Sequence, residues 1–353
     1  MTQTLLLKVN PQNPSRAKIQ TAAKIIQNGG LVAFPTETVY GLGADALNAD
    51  AVLALFAAKR RPLDNPPIVH VASPAEVVRL VEEVPKNAAL LMEKFWPGPL
   101  TLVFKHSTVV PIVTTAGLDT VAIRMPKHKV ALALIQASGC PIAAPSANLA
   151  GKPSPTTVHH VFEDLNGRVD AIIDGGATNI GIESTVVDVT VNPPMVLRPG
   201  GTTFEALKLV VGDLQLHALV EAEKELPLDN IRSPGMKHRH YAPKAEVLLI
   251  EGPASAVIIK IQELAESYRI KGNKVGVLAT DETQAAYKAD IVRSLGSRFN
   301  LSTIAQNLFR LLREVDAQNV DVILAEGVPL EGMGLAVMNR LRKASGYHII
   351  KTQ

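Results

Sequence analysis

Several loops in the N-terminal half of the chain combine hydroxyl groups, glycines and cations beside apolar, strand-like runs. The segment PTETVYGLG follows the run LVAF and offers the hydroxyls of Thr36, Thr38 and Tyr40. Its glycines let a ligand approach the backbone closely. Such loops beyond strand ends are typical of ligand sites in α/β proteins, whereas an ordinary polar turn is the alternative for any one of them.

A run of three cations, Lys59, Arg60 and Arg61, ends a predicted helix and is followed by Pro62. Cations at a helix C-terminus are favourable for structural reasons alone, by about 0.3 to 1 kcal/mol each. Three cations on a rigid, proline-rich frame also suit the binding of a polyphosphate.

Arg124 lies in the otherwise apolar strand-like run TVAIRM. Burying a lone cation costs several kcal/mol, so Arg124 needs an anionic partner. A ligand carboxylate and an internal aspartate, Asp119 or Asp174, are equally good candidates. His70, in PIVHV, is either a ligand-binding residue or an ordinary buried strand histidine, and the sequence leaves this open.

Three further loops repeat the pattern. Ser146 and Asn148 follow the run PIAA, Ser184 lies in IDGGATNIGIESTVVD, and Arg198 precedes two glycines in LRPGGT. Any one loop is explained by turn chemistry, but five loops that pair glycine with hydroxyl or cation indicate a convergent ligand site.

The segment SPGMKHRHYAPK carries Lys237, His238, Arg239, His240 and Tyr241 between a glycine and a proline. A solvated basic loop is the structural interpretation. Two alternate histidines without a nearby carboxylate or thiol are weak evidence for a metal, so no protein metal site is predicted. We interpret the segment as a lid that closes over an anionic ligand.

The elements that must position these loops form two domains. Residues 1–212 mix helices with at least seven apolar strands, which predicts a sheet with helices packed on it. Residues 213–243 lack a sustained period and are interpreted as a linker and lid. Residues 244–353 alternate strands with helices, which predicts a smaller parallel α/β domain of the doubly wound kind.

Composition excludes several classes of protein. The 353 residues are 47% hydrophobic and 20% charged, with a net charge of +3, so neither disorder nor a nucleic-acid coat is expected. No apolar run reaches the roughly 18 residues of a membrane span, and the start MTQTLLLKVNPQ lacks a basic leader and a small-residue cleavage site, so neither export nor membrane insertion is expected. The single cysteine, Cys140, suits a reducing cytoplasm. Phosphate-loop, dinucleotide, zinc-protease and serine-hydrolase motifs are absent from the sequence.

The set PTETVYGLG, KRRPLDNPPIVH, TAGLDTVAIRMP, APSANLAGKPSPT, IDGGATNIGIESTVVD, LRPG and SPGMKHRHYAP closely resembles the L-threonylcarbamoyladenylate synthases of the long form. The resemblance implies an N-terminal YrdC-like twisted mixed sheet with flanking helices and a smaller C-terminal Rossmann-like domain. It also implies that L-threonine, bicarbonate and ATP, with Mg²⁺ held mainly by the phosphates, give threonylcarbamoyl-AMP and pyrophosphate. Other proteins then transfer the threonylcarbamoyl group to the adenosine beside the anticodon of tRNAs reading ANN codons, so tRNA is an indirect partner.

The resemblance also assigns residues. Lys59 and Arg61 would be catalytic and would hold the phosphates, and Thr36, His70, Arg124 and Ser184 would bind L-threonine, with Arg124 on its carboxylate. The full set implied for ATP is Lys59, Arg61, Asn65, Thr120, Ser146, Asn148, Arg198, His240 and Tyr241.

Two other functions compete with this one. An RNA-binding module would require a basic stripe or stacking aromatics, and the nearly balanced charge of the N-terminal domain argues against it. A transferase that uses carbamoyl phosphate is the alternative among enzymes. It would require neither threonine nor bicarbonate for its reaction.

Overall fold

The computed structural model describes residues 3–224 and 241–353, which divide into two compact units. Within the described residues, the first unit comprises 3–150 and 154–220, and the second comprises 151–153, 221–224 and 241–353. Each unit is built on its own sheet, with 11 strands in the first and five in the second.

The first sheet is mixed, with the strand order β1-β8-β2-β3-β7-β4-β6-β5-β9-β10-β11. It contains parallel pairs such as β4–β6 and β5–β9 and antiparallel pairs such as β3–β7 and β5–β6. The strands are β1 Leu5–Lys8, β2 Val32–Phe34, β3 Gly41–Asp45, β4 Ile68–His70, β5 Leu100–Lys105, β6 Thr120–Arg124, β7 Ile142–Ala143, β8 Ala171–Asp174, β9 Thr185–Asp188, β10 Met195–Arg198 and β11 Gln215–Leu216.

Helices cover both faces of this sheet. They are α1 Arg16–Gln27, α2 Ala49–Lys59, α3 Lys86–Phe95, α4 Ile112–Thr115, α5 Lys129–Ser138, α6 Val158–Leu165, α7 Phe204–Val211 and α8 Ala218–Glu221, with a 3₁₀ helix at Pro74–Arg79. Val32 and Phe34 of β2 pack with α1 and α5, whereas Ala33 packs with α2 and α6. Because successive strand residues point to opposite faces, the two helix pairs lie on opposite sides. The predicted mixed sheet with flanking helices is confirmed.

The second sheet is entirely parallel, with the strand order β14-β13-β15-β12-β16. Its strands are β12 Glu246–Glu251, β13 Val275–Ala279, β14 Ile291–Ser294, β15 Val322–Glu326 and β16 Ile349–Lys351. Its helices are α9 Ala254–Ile270, α10 Leu301–Asp316 and α11 Met333–Ala344, with a 3₁₀ turn at Gln284–Ala286.

Helices also pack on both faces of the second sheet. Val275 and Val277 belong to one apolar cluster with residues of α9. A Cβ on Gly276 would come within 2.6 Å of Val315 in α10, so α10 covers the opposite face. The predicted parallel α/β class is confirmed, although β15 lies between β12 and β13, which would be neighbours in the Rossmann order.

The predicted linker begins inside the first sheet. Gln215 and Leu216 form β11, which pairs in parallel with Met195 and Val196 of β10. A two-residue edge strand has too short a pattern to be recognised from the sequence, so the residues after 212 were assigned to the linker. Among the described residues, no helix is long and apolar enough to cross a membrane.

Candidate active site

The segment between β2 and β3, residues 35–40, is the hub of the site and is called the central loop here. Its backbone is hydrogen-bonded to two other loops that the sequence singled out. The bonds are Ala147 N–H to Tyr40 O at 2.8 Å, Ile180 N–H to Glu37 O at 2.8 Å and Gly181 N–H to Thr38 O at 3.1 Å. Gly41, which follows the loop, forms a β-bridge with Ser146. Three loops are thereby brought together in one place.

Arg124 is buried beside the central loop, at the end of β6. Its Nε donates to Gly98 O at 3.1 Å and its Nη1 donates to Thr38 Oγ1 at 2.9 Å. Its Nη2 lies 2.7 Å from Glu37 Oε1, and both side chains are less than a tenth exposed. Thr36 completes the group, because Thr36 Oγ1 and Thr38 Oγ1 are 2.8 Å apart. We call these residues the Arg124 cluster.

The strand register places the other residues predicted to bind L-threonine, His70 and Ser184, beside the Arg124 cluster. Arg124 pairs with His70 of β4 on one side and with Thr101 of β5 on the other. Thr101 Oγ1 shares a hydrogen bond of 2.7 Å with Ser184 Oγ. Arg198 in turn donates from Nη2 to Ser184 O at 2.9 Å. A continuous polar row therefore runs across five neighbouring strands, from β4 to β10.

The His70 ring is buried and neutral. Burial lowers its pKa to about 3, and the charge of Arg124 acts in the same direction. His70 Nδ1 lies 3.1 Å from Ile68 O. Because a carbonyl can only accept, this contact places the proton on Nδ1. The neutral His70 ring therefore lies beside Arg124 and adds no second positive charge.

Lys59 is the centre of the second group of residues, at the C-terminal end of α2. That helix begins after Asn48, whose side chain accepts from the N–H groups of Asp50 and Ala51. The Lys59 side chain is 1% exposed, and its Nζ donates to the carbonyls of Ser146 and Asn148. Burial holds its pKa well below the usual value, and the nearby positive charge of Arg61 lowers it further.

Arg61 lies two residues beyond Lys59 and is held by the proline-rich turn that follows. Its Nε donates to Asn65 O at 2.9 Å and its Nη2 donates to Asn65 Oδ1 at 2.6 Å. The turn is possible because Arg60 takes a left-handed conformation, with φ of 52°, that ends α2. Lys59, Arg61, Asn65, Ser146 and Asn148 form what we call the Lys59 cluster.

Thr120 and Arg198 occupy two different places relative to these clusters. Ile68 pairs with Ala122 in the parallel β4–β6 ladder, so Thr120 lies level with Pro66, whose carbonyl accepts from Arg61. Thr120 therefore adjoins the Lys59 cluster. Arg198 is hydrogen-bonded to Ser184, which adjoins the Arg124 cluster.

The turn after Arg198 depends on glycine. A Cβ on Gly200 would lie 2.3 Å from Glu183 O and 2.4 Å from Thr185 N. Only the absence of a side chain lets the β10 turn approach the chain beside Ser184 so closely. The glycines in LRPGGT thus serve the packing of the Ser184 loop.

Two of the residues predicted to bind the nucleotide, His240 and Tyr241, belong to the segment interpreted as a lid. His240 lies outside the described residues, as do the other lid residues 237–239. Tyr241 is buried in the second unit, where its ring is 5.0 Å from that of Phe309 and 5.8 Å from the guanidinium of Arg340. Its role in nucleotide binding stays a prediction.

The internal partner of Arg124 is Glu37, and not Asp119 or Asp174, the two candidates named from the sequence. Thr38 was named only as a hydroxyl of its loop with no substrate assigned to it, and Thr101 was not recognised, although both bond to residues of the polar row. The available signal was an acid between two threonines in a loop that follows a buried strand. Contact across 87 residues of chain cannot be inferred from that pattern alone.

Within residues 3–224 and 241–353, no group of three or more His, Cys, Asp or Glu side chains could hold a metal ion. The Lys59 cluster offers cationic donors and amides, which suit phosphate oxygens rather than a metal. The site can therefore bind an anion at each cluster, with the central loop between the two.

Two family models match the chain. A model of the Sua5, YciO and YrdC group, described as telomere recombination, matches residues 24–200. A model described as threonylcarbamoyl-AMP synthase, C-terminal domain, matches residues 202–346. Together they span most of both structural units.

Named relatives and solved structures agree with these models. The threonylcarbamoyl-AMP synthase of Pyrococcus abyssi is 55% identical, over 95% of this chain and 96% of its own. That of Bacillus subtilis is 49% identical, over 95% and 94%. The crystal structure of P. abyssi Sua5 complexed with L-threonine is 53% identical, with a TM-score of 0.94, covering 99% of this chain and all of that one.

Proposed function

The chain belongs to the threonylcarbamoyl-AMP synthase family in its two-domain form, and on this premise we propose that it joins L-threonine, bicarbonate and ATP into threonylcarbamoyl-AMP and pyrophosphate. It is an enzyme of the nucleotidyltransferase type. The substrates in this proposal go beyond the family name, and the L-threonine complex of the P. abyssi relative supports the choice of amino acid.

One observation carries the proposal: a single loop is hydrogen-bonded to both anion-binding clusters. Thr38 of the central loop accepts from Arg124, and Tyr40 accepts from the N–H of Ala147 in the loop that also bonds Lys59. An amino-acid carboxylate at Arg124 and a triphosphate at Lys59 would then lie on either side of the same short segment. That proximity is what a reaction between the two substrates requires.

The chemistry needs no nucleophile from the protein. Bicarbonate takes up a proton and loses water to give carbon dioxide, which the neutral amine of threonine captures as a carbamate with release of a proton. A carbamate oxygen then attacks the α-phosphorus as pyrophosphate leaves. The task of the protein is to place the reactants and to offset negative charge that accumulates on the leaving group. We assign this task to Lys59 and Arg61, and we assign nucleotide binding also to Asn65, Thr120, Ser146, Asn148, Arg198, His240 and Tyr241.

We propose that Mg²⁺ enters as part of the MgATP substrate, held by phosphates and water. The cationic side chains of the Lys59 cluster fit phosphate oxygens and not the ion itself. Binding of the metal-triphosphate complex would therefore depend on Lys59 and Arg61 through the phosphates.

We further propose a cytoplasmic enzyme whose adenylate product passes to proteins that modify tRNA beside the anticodon, at tRNAs reading ANN codons. Cys140 is free and half-buried, and burial raises the pKa of its thiol to about 12. A thiol so far from ionisation is a poor nucleophile at neutral pH.

The experiment that tests the proposal measures pyrophosphate release from ATP and Mg²⁺ with bicarbonate and each amino acid in turn. We expect release with L-threonine and bicarbonate together, and none when either is omitted. Release that needs neither, but needs carbamoyl phosphate, would identify a carbamoyltransferase instead. Binding of RNA with no pyrophosphate release under any condition would favour the RNA-binding module.

A further inference from the structure

Three buried atoms of the charged groups in the Arg124 cluster lack hydrogen-bond partners in the described part of the chain. Arg124 Nη2 and both carboxylate oxygens of Glu37 have no hydrogen-bond partner among residues 3–224 and 241–353. Arg124 Nη2 and Glu37 Oε1 are 2.7 Å apart, but their contact lacks hydrogen-bond alignment. Buried polar groups in native proteins are almost always hydrogen-bonded, so these three atoms require an explanation.

Arg124 does not depend on Glu37 for its position. Its other two nitrogens, Nε and Nη1, already donate to Gly98 O and Thr38 Oγ1. The backbone of Glu37 is fixed independently, because its carbonyl accepts from Ile180 N–H at 2.8 Å. Both charged groups are therefore presented by neighbouring bonds, and only the contact between them is poor. A buried pair is stabilising only when its geometry is good and further hydrogen bonds complete it.

The three atoms without partners among the described residues are complementary in charge to the carboxylate and ammonium groups of an amino acid. A free α-amino acid carries its carboxylate and its ammonium group on the same carbon. Arg124 Nη2 can donate to that carboxylate, and the Glu37 oxygens can accept from that ammonium group. Besides Arg124, His128 is close enough to interact electrostatically with Glu37, and burial lowers the pKa of His128 and favours its neutral ring. His128 therefore does not compete with an ammonium group for Glu37.

We propose that Glu37 is the residue that recognises the ammonium group of the substrate amino acid. The substrate carboxylate replaces Glu37 at Arg124 Nη2, and the released Glu37 carboxylate accepts hydrogen bonds from the adjacent ammonium group. The inference rests on the proposed function, since it requires an amino-acid substrate in the Arg124 cluster. It makes the site specific for zwitterions over simple carboxylic acids.

The alternative is that Glu37 merely neutralises Arg124 when no ligand is bound. Removing its charge would then leave Arg124 free, and every carboxylate ligand would bind more tightly. If Glu37 binds the ammonium group, removing its charge weakens binding of L-threonine and tightens or preserves binding of the same acid without its amino group. The direction of the change in affinity for L-threonine therefore separates the two roles.

The test is calorimetric titration of L-threonine and of 3-hydroxybutyrate, its deamino analogue, with and without a non-hydrolysable ATP analogue. Glu37→Gln should weaken L-threonine binding on the order of tenfold to 100-fold, because a charged hydrogen bond is lost. It should leave 3-hydroxybutyrate binding equal or tighter. Glu37→Asp, which keeps the charge, should restore part of the L-threonine affinity.

Glu183→Gln is the matched control. Glu183 is equally buried, but its Oε1 accepts from the neutral Ser154 hydroxyl at 2.6 Å. This control variant should keep the wild-type ratio of the two affinities. A change in that ratio as large as that of Glu37→Gln would overturn the assignment to Glu37.

Other outcomes also decide the question. Unchanged or tighter L-threonine binding in Glu37→Gln overturns the proposal, and so does an equal loss for both ligands, which would indicate a structural role. If Glu37→Gln does not melt cooperatively, Glu37→Asp decides, because a selective change for L-threonine is still required. Wild-type protein that does not bind L-threonine under either condition would refute the amino-acid site itself, and the proposed function with it.

Discussion

The two buried cations of the site balance their charge in different ways. Arg124 lies beside a carboxylate, that of Glu37. Lys59 is held by backbone carbonyls, and burial together with Arg61 lowers its pKa. An arginine cannot lose its proton inside a protein, so it requires a counter-charge, whereas a lysine can become neutral.

This difference predicts how each half of the site responds to its ligand. A carboxylate arriving at Arg124 competes with an internal acid. A phosphate arriving at Lys59 instead favours the charged ammonium form, because a nearby negative charge raises the pKa of a lysine. On the amino-acid side, Arg124 is therefore expected to exchange Glu37 for the ligand carboxylate. On the nucleotide side, Lys59 is expected to take up a proton when the phosphate binds.

The largest expected effect is on the nucleotide side. Arg61→Ala should reduce ATP-dependent pyrophosphate release by about 100-fold to 1,000-fold, the usual loss when a group that stabilises transition-state charge is removed. Because Arg61 is half-exposed, the variant should still fold. The measurement is the rate of pyrophosphate release at saturating threonine.

The neighbouring cation supplies the control for that variant. Arg60 is exposed and adopts a φ of 52°, which glycine tolerates. Arg60→Gly should therefore retain most of the activity. If Arg60→Gly lost as much as Arg61→Ala, the effect would be one of general charge and not of the phosphate role assigned to Arg61.

On the amino-acid side, Arg124→Ala should raise the KM for threonine about 100-fold while changing the KM for ATP little, because a charged hydrogen bond to one substrate is removed. It should also lower the free energy of unfolding by about 3 to 5 kcal/mol, since Glu37 is left buried without its counter-charge. Steady-state kinetics with each substrate and denaturant unfolding measure the two effects. Equal rises in both KM values would contradict the assignment of Arg124 to threonine.

A double variant separates the two consequences of losing Arg124. Replacing both charges, as in Arg124→Met with Glu37→Leu, should recover most of the lost stability, because apolar side chains of similar size often substitute well for a buried ion pair. Catalysis should stay impaired. Recovery of activity together with stability would show that Arg124 has only a structural role.

A smaller effect concerns acid stability through His70. Its pKa is about 3 in the folded protein against about 6.5 in an unfolded chain, so the unfolded state binds more protons between these values. The contribution of neutral His70 to the free energy of unfolding is therefore fully present above pH 6.5 and is lost as the pH is lowered toward 3. The variant His70→Asn keeps a donor for Ile68 O. Between pH 6.5 and pH 5, its free energy of unfolding should fall by about 2 kcal/mol less than that of the wild type. Unfolding curves at both pH values measure this, and identical acid sensitivity would contradict it.

The smallest effect is the proton uptake expected at Lys59. Binding of ATP at about pH 9 should take up less than one proton per site, because phosphate raises the lowered pKa of this side chain. Calorimetry in two buffers of different ionisation enthalpy measures the uptake. Lys59→Met should abolish it, and an uptake that persists in this variant would have another source.

The sequence indicated several of the loops that the structure brings together, but not how they meet. The apolar surroundings of Arg124 indicated a need for an anion, yet Glu37 meets Arg124 only because the central loop bonds to the loops that follow β7 and β8. Likewise, Thr101 bonds Ser184 through the register of β5 with β9, across 83 residues of chain. Sheet register depends on pairing between distant segments, which a single sequence does not display.

Local signals were more reliable than distant ones. Ile19, Ala22, Ala23 and Ile26 recur at helical spacing in the sequence, and all four are buried on one face of α1, because periodicity is a property of the segment itself. The carbonyl partners of Lys59 had no such signal, since every residue carries a carbonyl group. Backbone acceptors are therefore the part of a site that sequence analysis finds last.

The central loop is fastened on both sides, to the loop after β8 through Glu37 and Thr38 and to the loop after β7 through Tyr40. Its length is consequently constrained more strictly than its composition. A one-residue insertion or deletion here would shift the contacts with one substrate group out of step with those of the other. We expect natural variants of this enzyme to tolerate length changes at exposed turns elsewhere, while the number of residues between Phe34 and Gly41 stays constant.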